Sequence, residues 1–266
     1  MIRSLLSGAA ALLAVAPAFA HAGFLVPVTE GTDADGKVLL HATFSDAFPQ
    51  MEIGLTSEAW VIVTPEGERK DFDRMAERPD RTLLQATLEE EGVYRLSSGE
   101  RLGRKGEVAR IEGEYFLLGR DGLTKESLPD GAEVLTSQTA TVSDIYLARG
   151  DGPAAPVENE IGRLVIHPAD NPAGLRVGER FAADILFDSE PLAGYDITLF
   201  TPASGREEGE ADTSLTSDKS GEVAFTPDQP GDYLLMVRHI APAPEGAGTD
   251  VRSYTTTLTL QVPGAR

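Results

Sequence analysis

Apolar side chains along most of this chain return at every second position, a period that predicts short half-buried strands rather than helices. Residues 38–44 place Val38, Leu40, Ala42 and Phe44 on one face and Leu39, His41 and Thr43 on the other, with Ser45 continuing the second face. A second strand is expected at 59–64, closed by the turn Pro65-Glu66-Gly67. Residues 82–88 and 92–97 are expected to pair antiparallel across Glu89-Glu90-Glu91. Residues 107–118 read as a hairpin about Glu112-Gly113, and 135–147 as a strand rich in Thr and Val.

Residues 149–160, RGDGPAAPVENE, have no apolar periodicity and concentrate Gly, Pro and charge, as linkers do. They are expected to separate an N-terminal β domain at 21–148 from a C-terminal one at 161–266. In the second, residues 163–167, 180–187, 195–200, 223–225, 232–239 and 253–262 give strands at sandwich-like spacing. The turns Asp218-Lys219-Ser220-Gly221 and Gln229-Pro230-Gly231-Asp232 are expected to frame a hairpin, and 241–250 to be a mobile loop. Pro191-Leu192-Ala193-Gly194, the run from Thr216 to Val223, and Pro230-Gly231-Asp232-Tyr233 resemble the immunoglobulin-like or prealbumin-like sandwich repeats of bacterial surface and periplasmic proteins. That likeness implies a fold and no function. The expected class is all-β, two antiparallel β-sandwich-like domains after a cleaved signal peptide.

The first 20 residues carry the address. Arg3 precedes a short apolar run at 5–16, and Ala18-Phe19-Ala20 fits the small-x-small rule, so cleavage is expected between Ala20 and His21. The apolar run falls short of the roughly 20 residues of a membrane span, and no later segment reaches it, so no membrane span is expected after cleavage. Cysteine is absent, which leaves neither disulfides nor a lipoprotein anchor and fits a bacterial periplasm or cell surface. A formal charge of -20 argues against nucleic acid and anionic membrane surfaces as partners and enriches cations nearby. Within this acidity, Arg101 to Arg110, RLGRKGEVAR, is a basic patch, either a solvated hairpin or a dock for an acidic partner or anionic glycan.

Cleavage after Ala20 would make His21 the amino terminus. Its α-amine and its own Nδ1 can close a six-membered ring on one metal ion, and a second imidazole completes a T-shaped set of nitrogens. An α-amine of pKa roughly 7.7–8.0 yields its proton to a borderline metal near neutral pH. Such sites suit Ni, Co, Cu or Zn ions, whereas Mg and Ca prefer oxygen shells. The chain has four histidines, so His21, His41, His167 and His239 are the candidate ligands. No pair among them has HxH or HxxxH spacing. Asp46 and Glu52 follow His41, and Asp170 follows His167, adding candidate oxygen ligands. Met51 and Met236 make no methionine-rich copper motif. Hydrolytic nucleophile motifs and phosphate-binding loops are absent.

Several stretches then carry a family resemblance: His21-Ala22-Gly23-Phe24-Leu25-Val26-Pro27, Phe44-Ser45-Asp46-Ala47-Phe48-Pro49, Val63-Thr64-Pro65-Glu66-Gly67, and the run from Glu91 to Arg101. Together with the second-domain pattern they resemble the exported domain-of-unknown-function family associated with NikM-type periplasmic components of nickel or cobalt uptake. The resemblance implies a periplasmic two-domain β protein that binds a transition metal through its amino-terminal histidine. Some members read Phe-Ser-His-Pro-Phe where this chain reads Phe44-Ser45-Asp46-Ala47-Phe48, leaving His41 as the nearby imidazole. The function expected first is a non-enzymatic metal-binding or metal-uptake accessory, with a metal-uptake transporter or an outer-membrane receptor as partner. An envelope module binding a protein or glycan is the alternative. A copper monooxygenase with an amino-terminal histidine brace stands third, since Trp60 is the single tryptophan and aromatic residues make up only 6% of the chain.

Overall fold

The computed structural model describes residues 21–28, 33, 35–119, 123–150, 160–202 and 213–264. The expected signal peptide at 1–20 and most of the expected linker, 151–159, lie outside the described residues. The chain is nearly all β. The first half contains β1 (Ala22–Pro27), β2 (Lys37–Ser45), β3 (Ile53–Gly54), β4 (Val61–Val63), β5 (Arg69–Lys70), β6 (Arg74–Glu77), β7 (Thr82–Thr87), β8 (Gly92–Ser97), β9 (Arg101–Ile111), β10 (Glu114–Leu117) and β11 (Glu133–Arg149). The second contains β12 (Leu164–Pro168), β13 (Phe181–Phe187), β14 (Glu190–Pro191), β15 (Asp196–Phe200), β16 (Thr213–Thr216), β17 (Glu222–Phe225), β18 (Gly231–Pro242) and β19 (Val251–Val262). Among the described residues no helix is long and apolar enough to cross a membrane.

These strands form three sheets. The first has the order β1-β2-β7-β6 with β3 on β2, and the third is β12-β13-β14 with β17 on β13. Between them a ten-stranded sheet runs β16-β15-β18-β19-β11-β8-β4-β5, with β9 on β11 and β10 on β9. Its middle joint is parallel: β11 pairs with β19 from Ser137–Val251 to Ile145–Thr259. Backbone hydrogen bonding therefore runs continuously from the first half of the chain into the second.

Two cores lie on this sheet. Leu25, Val38, Leu40 and Leu84 from the first sheet, with Leu88 just beyond β7, pack on Ile62, Tyr94, Leu96 and Ile145. Ile166, Phe181, Ile185 and Val223 from the third pack on Ile197, Tyr233, Leu235 and Leu258. A smaller cluster sets Phe24 and Val26 of β1 against Phe200, Leu234 and Met236, so β1 also bridges the halves.

Two expected hairpins are corrected. β7 pairs with β2 and β6, whereas β8 pairs with β4 and β11, so residues 89–91 carry the chain from one sheet to the other. The reason is burial. β7 alternates, as one solvated face requires, but every residue of β8 is buried, because its two faces meet different cores. β17 and β18 likewise belong to different sheets, joined to β13 and to β15 and β19 respectively. The hairpin at Glu112-Gly113 forms as expected, with both residues at positive φ, but its first strand begins at Arg101. β8 and β9 pair successively along the same edge of β11, broken at 98–100. Gly99 permits the break: its φ is +62° and a Cβ there would lie 2.1 Å from the Ala59 carbonyl oxygen. Residues 241–250 are tied down, since the Asp250 carboxylate accepts from both the Thr136 N–H (2.8 Å) and its hydroxyl (2.6 Å).

Where β11 passes from β9 to β8, Arg95 and Asp144 form an ion pair at 2.6 Å with each side chain only 3% exposed. The neighbouring Tyr146 phenol is pushed up to about 12 by burial. Truncating one partner strands the other charge in a dry interior, so Asp144→Ala is expected to cost about 3–5 kcal/mol in urea unfolding. A cost below about 1 kcal/mol, the range of an exposed pair, would show that the pair does not matter to the joint.

Candidate metal centre and the cavity beside it

The antiparallel register of β1 on β2 decides what His21 meets. Ala22 stands opposite Ser45, so the next residues outward are His21 and Asp46. Nδ1 of His21 lies 3.2 Å from Oδ1 of Asp46, and Nε2 lies 3.7 Å from Oε2 of Glu52. The Asp46 N–H donates to the same Glu52 oxygen at 3.4 Å, and the Ala47 N–H to Ser45 Oγ at 2.9 Å. The turn carrying both carboxylates is held by Phe48, which is buried edge-on to Phe24 and against Phe200. Burial of one aromatic ring thereby fixes two exposed acids around one imidazole.

Among the described residues, His21, Asp46 and Glu52 are the only group of three or more such side chains whose ligand atoms all lie within 4.8 Å of one another. A tetrahedral ion with bonds of about 2.1 Å holds its donors about 3.4 Å apart, so small rotations of exposed side chains would close the set. One imidazole nitrogen and two carboxylate oxygens fit a borderline divalent ion, and an α-amine at His21 would add a second nitrogen.

The other three histidines are not brought to His21. His41 stands opposite Val26, about 17 Å along β1 from His21 at strand rise. Its strand face is covered only on one side: Thr43 and Ser45 are buried, with the Thr43 hydroxyl shared between the Ile53 and Asp80 carbonyls, whereas Leu39 is exposed. Burial and the Arg81 charge lower the His41 pKa, partly countered by Asp80. His167 lies on β12 opposite Asp184. His239, on β18, shares a 2.7 Å hydrogen bond between its Nδ1 and the Tyr195 hydroxyl and packs on Phe187 with ring centres 4.4 Å apart. Burial and Arg163 lower its pKa as well, against a smaller opposing effect of Asp188. Register, not proximity in sequence to His41, assigns Asp46 to His21.

His21 also stands at one wall of a cavity of about 240 Å³. Arg101, Arg104 and Arg238 line it, together with Thr139, Thr141, Ser143, Thr255 and Thr257. Arg101 donates from Nε to the Thr56 carbonyl at 2.6 Å and lies 5.1 Å over the Phe44 ring. The basic patch of the sequence is thus a sheet strand whose first residues enter a cavity, while Arg110 farther along pairs with Glu133.

Fold and site define a class: an all-β, sandwich-like protein with a nitrogen–carboxylate cluster at the side of an arginine-lined cavity. Residues 18–241 match the family described as Domain of unknown function (DUF4198), and the chain belongs to that family. No curated protein matches it. Among solved structures it is similar to the D0-D1 domain of Intimin, at 10% identity over 90% of this chain and 97% of that one, with a TM-score of 0.22. It is also similar to the Bacillus anthracis TIE protein, at 12% identity over 91% of this chain and 38% of that one, with a TM-score of 0.18. TM-scores this low carry no argument about this chain.

The lowered His239 pKa has a consequence for stability. An unfolded histidine protonates near 6.5 while the folded one resists, so the unfolded state binds more protons in that window and stability falls as pH drops through 6.5. His239→Gln removes the titration and keeps a polar partner for Tyr195. Urea midpoints measured from pH 7.5 to about 5.5 are expected to fall less steeply in this variant. Identical slopes would place the acid sensitivity elsewhere.

Proposed function

We propose that this protein is a non-enzymatic, transition-metal-binding accessory of metal uptake in the periplasm, holding a nickel or cobalt ion, or copper in their place, at His21. The observation that carries the reading is the convergence of Asp46 and Glu52 on both nitrogens of the His21 ring. Cleavage after Ala20 would free the α-amine beside that ring and complete a mixed nitrogen–oxygen set. The exposure of the cluster suits transfer of an ion to a partner, for which a metal-uptake transporter or an outer-membrane receptor is proposed. A copper brace would need a second imidazole beside the first, and among the described residues no other histidine belongs to the His21 group.

The test uses protein exported with its own leader, with its amino terminus sequenced, and titrated calorimetrically with nickel, cobalt and copper salts. Asp46→Asn with Glu52→Gln, and separately one residue added before His21, are each expected to weaken binding by more than the roughly 10–100-fold that a lost outer-shell partner costs. Equal affinity in all three forms would overturn the metal reading.

A further inference from the structure

The register of the large sheet sets four polar residues in one row across four adjacent strands. Arg101 on β9 stands opposite Thr141 on β11, Thr141 opposite Thr255 on β19, and Thr255 opposite Arg238 on β18. Residues opposite one another share a sheet face, and all four line the cavity beside His21. An arginine therefore ends the row on each side, with Cα positions about 14 Å apart over three strand spacings. Arg104 lines the same space, and Ser143 and Thr257 form the next cross-strand pair.

Charge makes this arrangement unusual for the chain. Acidic residues outnumber basic ones by 43 to 23, yet the cavity wall holds three arginines and, among the described residues, no Asp or Glu. No described carboxylate pairs with Arg101 or Arg104. Burial and the Arg104 charge pull the Arg101 guanidinium below its usual range. The hydroxyls of Thr139, Thr141, Ser143 and Thr255 line the cavity and are not among the buried unpaired polar atoms, so they are open to its contents. Like charges held close favour an anion between them, and the hydroxyls beside them are placed to donate to it.

We propose that this cavity binds a small organic anion carrying at least two carboxylate groups. Arg101 is held by the Thr56 carbonyl and Arg238 reaches the Met236 sulfur, so two separated carboxylates suit the two anchored guanidiniums better than one compact tetrahedral ion. A planar carboxylate also accepts two parallel bonds from a guanidinium fork. The threonine and serine hydroxyls would donate to the remaining oxygens. A volume of about 240 Å³ lies below the roughly 300–1,000 Å³ of pockets for drug-sized ligands, so the occupant is small. The proposal needs no metal and stands apart from the reading of His21.

The test is calorimetric titration of the exported protein, stripped of metal by a chelator and dialysed, with succinate, citrate and inorganic phosphate. Citrate or succinate is expected to bind, more weakly as salt is raised, and phosphate to bind less well than either. Arg101→Gln is expected to weaken carboxylate binding about tenfold or more while leaving metal affinity at His21 unchanged. Thr141→Val, a change of similar volume, serves if Arg101→Gln does not fold, and is also expected to weaken binding. Absence of carboxylate binding to the native protein, phosphate binding as tight as citrate, or unaltered affinity in a folded variant would each overturn the proposal. Loss of metal binding in the His21 experiments would leave it standing.

Discussion

The parallel ladder between β11 and β19 is the constraint on which the rest of the structure depends. Parallel neighbours cannot be joined by a tight turn, and here the connection comprises every strand from β12 to β18. β11 is 17 residues long because it must serve three partners: β9 and β8 in succession on one edge, β19 on the other. The Arg95–Asp144 pair sits where β11 changes partner on the first edge. Thr257 on β19 fastens β1 from the same region, its hydroxyl donating to the Gly23 carbonyl at 2.6 Å. One shared ladder thus orders both cores, the cavity floor and the strand that follows His21.

The elements were largely legible in the sequence, and their assignment to sheets was not. A two-residue period states that one face of a strand is covered without naming the cover, so the pattern at 82–97 fits a hairpin and an arch between sheets equally well. The burial of both faces of β8 decided for the arch, and the alternation of Val93, Arg95 and Ser97 with Gly92, Tyr94 and Leu96 hid it. An arginine in a strand reads as solvated, and only its pairing with Asp144, 49 residues away, lets it be buried.

The site was legible in part for the same reason. His21 was singled out by the expected cleavage after Ala20, and Asp46 and Glu52 could be singled out as oxygen donors, but their nearness to His41 in sequence pointed away from the imidazole they meet. The antiparallel register of β1 and β2 alone sets Asp46 opposite His21. The arginine row left a fainter trace. Thr139, Thr141 and Ser143 alternate on one strand and Thr255 and Thr257 on another, as they would on any solvated face. Nothing local says that the two sets become neighbours.

Their neighbourhood also settles how a strongly acidic protein can hold a locally cationic space. At physiological ionic strength the field of an exposed charge fades over about 8 Å, so the distant carboxylates that make up the net charge contribute little inside a recess. What acts there is the nearest shell, and apart from His21 the polar side chains of this cavity's lining are guanidiniums and hydroxyls. The acids nearest in chemistry, Asp46 and Glu52, turn instead to His21 at the wall. The sheet register therefore sorts opposite charges onto two adjacent surfaces, one suited to a cation and one to an anion, with the imidazole of His21 on the boundary between them.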